Sequence, residues 1–85
     1  MILLLLTMNH RAESRNERKQ VIFAKTIRKL RHKRGMTLAE LAKLAHIHPS
    51  YLADVERGER NPSLLNILKF ASGLEVHPGK LFVKF

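Results

Sequence analysis

The sequence predicts an all-α domain of four helical patterns and a last short helical turn, on three observations. Apolar residues recur at spacings of three and four, in segments bounded by Gly, Pro and helix-capping residues. The chain has 85 residues, room for one small domain. Its aromatic content is low, with four Phe, one Tyr and no Trp, which argues against a sheet built as a base-stacking platform. The absence of Cys excludes disulfide frameworks, thiolate nucleophiles and Cys-rich zinc sites, so the core must hold by packing alone.

The apolar run at residues 1–6 is too short for a signal peptide and lacks its positive flank, and a membrane span needs about 20 such residues. It reads as a dispensable tail, with Met8 an alternative start. Residues 10–20 are charged and without apolar periodicity, so residues 1–20 read as a flexible basic arm running into the first helix, and residues 21–85 as the folded domain. In that first helix Val21, Phe23, Ile27, Leu30 and Arg34 fall at helical spacing, and Gly35 supplies the left-handed residue that helix ends prefer.

Thr37-Leu38-Ala39-Glu40 reads as a capping box that starts a second helix of about two turns, with Leu38, Leu41, Ala42 and Ala45 as its apolar positions. His46-Ile47-His48 makes the turn. Pro49 suits the first position of a third helix, with His48 as its cap; Leu52, Val55 and Glu56 lie on one side, and Ser50, Tyr51, Asp54 and Arg57 on the other. Gly58 stops that helix. After a loop through Asn61 and Pro62, Ser63 caps a fourth helix with Leu64, Ile67, Leu68 and Ala71 as its apolar face, ending near Ser72-Gly73. Val76, Leu81 and Phe82 suggest the last turn, and Val83-Lys84-Phe85 either frays or adds a short strand.

A helix, a tight turn and a second helix with short polar residues at its start is the layout of a helix-turn-helix, here at about residues 38–57. The strings Ile27-Arg28-Lys29-Leu30-Arg31, Gly35-Met36-Thr37-Leu38-Ala39-Glu40-Leu41-Ala42 and Tyr51-Leu52-Ala53-Asp54-Val55-Glu56-Arg57-Gly58-Glu59-Arg60-Asn61-Pro62-Ser63-Leu64 resemble the Cro/repressor-type helix-turn-helix domain, the xenobiotic-response-element family, over about residues 23–82. The resemblance implies a five-helix, lambda-repressor-like fold and a transcriptional regulator that binds double-stranded DNA as a homodimer on a palindromic operator. It implies base reading by Pro49, Ser50, Tyr51 and Asp54, backbone contacts from Lys33, Thr37, Leu38, Arg57, Arg60 and Asn61, and a structural ion pair between Arg31 and Glu56. Two departures stand out: Leu38 replaces a common Gln, so its phosphate contact is lost or passes to backbone amides, and His48 replaces a Ser or Thr cap. Within the family, the short single-domain format is similar to controller proteins of restriction-modification systems, although Pro49 stands where those carry an Arg.

The alternative reading is an antitoxin or accessory interaction module whose main partner is a toxin or other operon-encoded protein; a strand over residues 81–85 would suit it. A structured-RNA binder is a third. An amphipathic membrane-surface helix is disfavoured because Phe23, Ile27 and Leu30 are needed for the core, and no membrane partner is expected. His46 and His48 lack an obvious third ligand, so neither metal nor cofactor is expected. No phosphate-cradling Gly loop or acid/base pair is present, which leaves no enzyme constellation, and Leu64, Ile67, Leu68 and Phe70 are expected to fill the core and a dimer surface rather than a ligand pocket. A reducing cytoplasm is the expected compartment.

Charge sharpens the division of labour. The net charge is +9, from 16 basic and 7 acidic side chains. Residues 1–34 hold 10 of the basic and 2 of the acidic ones, or +8, while residues 35–85 hold 6 and 5, or +1. The arm and first helix are therefore the expected source of non-specific attraction to a polyanion, and the reading unit itself is nearly neutral.

Overall fold

The structure, a computed structural model, describes the backbone of residues 2–85 and the side chains from Asn16 onward. The side chains of the expected tail, and of Met8 as alternative start, lie outside the described residues. Helices α1 (Ile2–Lys33), α2 (Leu38–Ala45), α3 (Pro49–Glu56) and α4 (Leu64–Leu74) are followed by a 3₁₀ turn at Pro78–Phe82. The architecture is all-α with four α-helices rather than five, the expected last helical turn being 3₁₀, and no strand forms among the described residues.

Helix α1 extends through the stretch expected as an arm. It runs for 32 residues, about 48 Å, so the stretch before Val21 is helical and continuous with the first helix. The physical reason is local: no Gly or Pro falls between Ile2 and Arg34, and charged, straight-chain residues are good helix formers. Apolar periodicity marks where a helix is buried, and among the described side chains α1 is buried at Phe23, Ala24, Ile27 and Arg31.

The four α-helices end in the same way. In each, a residue with positive φ closes the last turn: Gly35 (66°), His46 (56°), Gly58 (76°) and Glu75 (56°). The N–H of that residue donates to the carbonyl three residues back, and the next N–H to the carbonyl five residues back, as in Gly35 to His32 (2.9 Å) and Met36 to Arg31 (3.1 Å). This is the Schellman arrangement, and it satisfies carbonyls that a helix end otherwise leaves bare. At Gly35 a glycine takes the left-handed conformation at no steric cost, whereas at His46 and Glu75 an L side chain carries it.

The core is where the helices converge. Ile27, Leu41, Leu52, Phe70, Leu74 and Leu81 are all fully buried, joined by Phe23, Ala42, Ala45, Val55 and Ala71. Helix α4 corrects a second expectation. Its buried positions are Phe70, Ala71, Gly73 and Leu74, with Ile67 half-buried, while Leu64, Leu65 and Leu68 face solvent. The helix is apolar on nearly every side, so periodicity alone could not choose its inward face. Gly73 lies inside α4 rather than ending it: a Cβ there would stand 3.0 Å from Leu41 Cδ1 and 3.1 Å from the Ala45 Cβ, so glycine permits the close approach of α2 and α4.

One buried ion pair ties α1 to α3. Arg31 donates from Nε to Glu56 Oε2 (2.7 Å) and from Nη2 to Oε1 (2.9 Å), and its Nη1 donates to the Met36 carbonyl (2.9 Å). Arg28, half-exposed, stands 3.6 Å from the same carboxylate. No buried side-chain polar atom among the described residues lacks a partner, so the desolvation of both ions is compensated. The hydrogen-bonded carboxylate raises the Arg31 pKa further above its ordinary value and keeps the guanidinium charged.

Glu56→Ala is expected to cost about 3–5 kcal/mol in chemical denaturation, because it leaves a buried guanidinium alone; Arg31→Met with Glu56→Leu should recover most of that loss. Relieving the left-handed side chain with His46→Gly is expected to raise stability by up to about 1 kcal/mol, or about 4–8 °C in a thermal melt.

Candidate nucleic-acid interface

Helices α2 and α3 and the turn between them form the candidate interface. Helix α3 turns Leu52, Val55 and Glu56 inward. On its other side Pro49 and Ser50 are exposed, Tyr51 and Asp54 half-buried, and Arg57 exposed. At its start His48 is the cap: its Nδ1 accepts from the Ser50 N–H (3.2 Å) and lies 2.7 Å from Ser50 Oγ. The pairing of Ser50 with His48 was not anticipated, although a cap two residues before a serine is its visible signal.

Helix α2 begins with the reciprocal cap. The Glu40 N–H donates to Thr37 Oγ1 (3.1 Å) and the Thr37 N–H to Glu40 Oε1 (3.0 Å). The amides of Leu38 and Ala39, at the first two helical positions, have no acceptor within the helix, and the positive end of the helix dipole adds to their pull on an anion. The Leu38 side chain is half-buried and packs against the core, so only its backbone is placed to meet phosphate.

The end of α3 holds a cluster that sequence reasoning divided into separate contacts. Arg57 pairs through Nη2 with Asp54 Oδ1 and through Nε with Glu59 Oε2 (3.2 Å). Arg60 Nε lies 3.7 Å from Asp54 Oδ2, and its guanidinium sits 5.4 Å from the Tyr51 ring centroid, in cation–π geometry. The Tyr51 ring in turn stacks on buried Phe70, centroids 6.5 Å apart. Asp54 is thus already engaged with two arginines, and Arg57 and Arg60 arrive with their charge compensated by Asp54 and Glu59. Glu59 was missed because its contact depends on Gly58 turning the chain back. Exposed pairs of this kind are worth about 0–1 kcal/mol, so a phosphate can displace them.

Asn61 is exposed beside Arg60, and Lys33 is exposed at the end of α1. Farther along α1, Lys25 and Lys29 border a shallow depression with Ile22, Thr26 and Lys84. Arg34 is engaged elsewhere: it holds the end of α4 by donating to the Glu75 carboxylate (3.1 Å) and carbonyl (3.0 Å).

An all-α domain with two short helices about a tight turn, the second exposing its N-terminal end, defines a helix-turn-helix protein of the lambda-repressor-like class. Residues 27–81 match the Helix-turn-helix family HTH_3, and the chain belongs to that family. The restriction-modification controller protein C.AhdI from Aeromonas hydrophila superposes with a TM-score of 0.74 at 44% identity, over 75% of this chain and 97% of that one. Control protein C.BamHI of Bacillus amyloliquefaciens is 38% identical over 63 residues, 73% of this chain and 78% of that protein. The HTH-type transcriptional regulator DdrOP3 of Deinococcus deserti is 45% identical over 53 residues, 60% of this chain; the chain spans 41% of that protein's length.

The capping box has a pH signature. The Thr37 backbone N–H, with a further contribution from its side chain, holds the Glu40 carboxyl below the usual carboxylate range. Its contribution to stability is therefore present above the unfolded-state value of about 4.3 and is lost as pH falls through the lower folded-state value. Melts of the wild type and Glu40→Gln are expected to differ by a constant amount above about pH 5 and to converge in acid.

Proposed function

We propose that the chain is a sequence-specific transcriptional regulator of the controller or repressor kind, which binds double-stranded DNA in the cytoplasm as a homodimer and performs no catalysis. The carrying observation is the placement of α3: its inner side is locked into the core through Leu52, Val55 and Glu56, while Pro49 and Ser50 stand free at its N-terminal end. A helix held this way suits insertion into a major groove about 12 Å wide. In this reading the amides of Leu38 and Ala39 with Thr37 hold phosphate on one side of α3, Arg57, Arg60 and Asn61 hold it on the other, and Lys33 adds a more distant contact.

Base reading falls first to Ser50 and to the apolar surface of Pro49, which suits a thymine methyl group. Tyr51 and Asp54 act mainly by setting Arg57 and Arg60. Dimerisation is supported by Leu64, Leu65 and Leu68, which are 72%, 62% and 44% exposed and form a second apolar stripe on α4. Such a stripe is normally covered by a partner, and a two-fold arrangement would match a palindrome.

Selection of bound duplexes from a random pool tests the reading. The expected product is an inverted repeat with half-site centres about one helical turn, ~34 Å, apart; equal affinity for all duplexes, or none, sinks it. Leu65→Glu should leave the fold intact in circular dichroism, abolish the dimer in sedimentation and reduce binding to single half-sites. Asp54→Asn should raise affinity for random duplexes and steepen the slope of log affinity against log salt by about 1, as freed arginine charge meets phosphate. Arg57→Gln and Arg60→Gln should each make that slope shallower by about 1, and no change would remove them from the backbone contacts.

A further inference from the structure

A groove of about 510 Å³ lies between α1, the loop after α3, α4 and the C-terminal residues, and shares Arg60 and Asn61 with the candidate interface. Its apolar surface comes from Phe23, Phe82 and Phe85, whose rings form a chain with centroids 5.7 and 6.0 Å apart. Lys19 and Arg60 are its charged groups, and no acidic side chain among the described residues lines it. The volume falls in the range of small-molecule sites, which combine an apolar body with a few placed polar groups. Leu64, Ile67, Leu68 and Phe70 were expected in the core and a dimer surface rather than a ligand pocket; Ile67 of α4 nevertheless borders this groove, which α1 and the C-terminal residues mainly build.

We propose that this groove binds a small amphipathic anion, an aromatic or branched carboxylate, with its apolar body on Phe23, Phe82 and Phe85 and its charge on Lys19 and Arg60. Charge complementarity favours this occupant over a second copy of the chain. All five acidic side chains of residues 35–85 are already engaged: Glu40 in its cap, Asp54 and Glu59 with Arg57, Glu56 with Arg31, and Glu75 with Arg34. A second copy would have to break one of these pairs, or bring Glu13 or Glu17 of its own cationic α1 against the two cations.

Arg60 is shared between the groove and the end of α3. An anion that draws it inward takes it from Asp54 and from the Tyr51 ring, and so alters the cluster flanking α3. This coupling rests on the regulator reading; the binding itself does not.

The test titrates the full chain, labelled with ¹⁵N, with 4-phenylbutyrate and with uncharged 4-phenylbutanol. Saturable shifts are expected at Gln20, Asn61 and Phe82 together with the Tyr51 ring, with the carboxylate binding about fivefold more tightly than the alcohol. Lys19→Gln should erase that difference, and Phe85→Ala, at an exposed terminal position, should weaken both compounds. Equal binding of the two compounds, no saturation, or shifts centred on Leu64, Leu65 and Leu68 overturns the site. Loss of binding at concentrations where the chain self-associates gives the groove to a second copy and also overturns it. On a selected operator, 4-phenylbutyrate should lower the affinity of the wild type and spare Lys19→Gln. Ligand binding without that effect refutes the coupling alone, and a chain that binds ligand but no DNA refutes the regulator reading alone.

Discussion

The bidentate pair between Arg31 and Glu56 is the contact on which the geometry of the molecule turns. Arg31 is 9% and Glu56 5% exposed, so each depends on the other for the solvation it has lost. The guanidinium also holds the carbonyl of Met36, while the carbonyl of Arg31 itself accepts from the Met36 N–H. One residue of α1 therefore fixes the start of the connection to α2 and the last turn of α3. Apolar side chains could supply comparable stability, but they would not specify the rotation of α3 about its axis. A charge pair with two parallel hydrogen bonds does specify it, and that rotation decides which residues of α3 are left to solvent.

The electrostatics of the outer surface follow a different rule. The side of the molecule expected to read sequence carries its charges in compensated form, Arg57 and Arg60 against Asp54 and Glu59, whereas the lysines of α1 form no ion pair among the described residues. A compensated cluster attracts little at a distance and gains only when a better acceptor arrives at contact range. In the proposed reading, long-range attraction falls to α1, and the gain from Arg57 and Arg60 is confined to contact range.

Local chemistry written in the sequence was legible where a side chain meets its own backbone. Thr37 with Glu40, Pro49 behind His48, and Ser63 each mark a helix start that the structure contains. Legibility failed where three-dimensional context decides. The helical stretch of α1 over residues 10–20 has no apolar periodicity to announce it, and α4 offers two apolar stripes of which only contact with α1 and α2 chooses one. His46 and Glu75 adopt left-handed backbone that neither residue type advertises. The same limit applied at the interface: the contact of Arg60 with Asp54 depends on the turn at Gly58, and residue spacing does not report it.

The repeated closure at residues 35, 46, 58 and 75 bears on how fast the molecule forms. Each helix end is sealed by hydrogen bonds spanning only three and five residues, so helix boundaries are set before any distant segment arrives. The connections between successive helices are short as well, and little chain entropy is lost in bringing neighbours together. Helical domains dominated by such local contacts fold in microseconds to milliseconds. A newly made chain of this design would spend little time with its core leucines exposed and would be competent soon after synthesis.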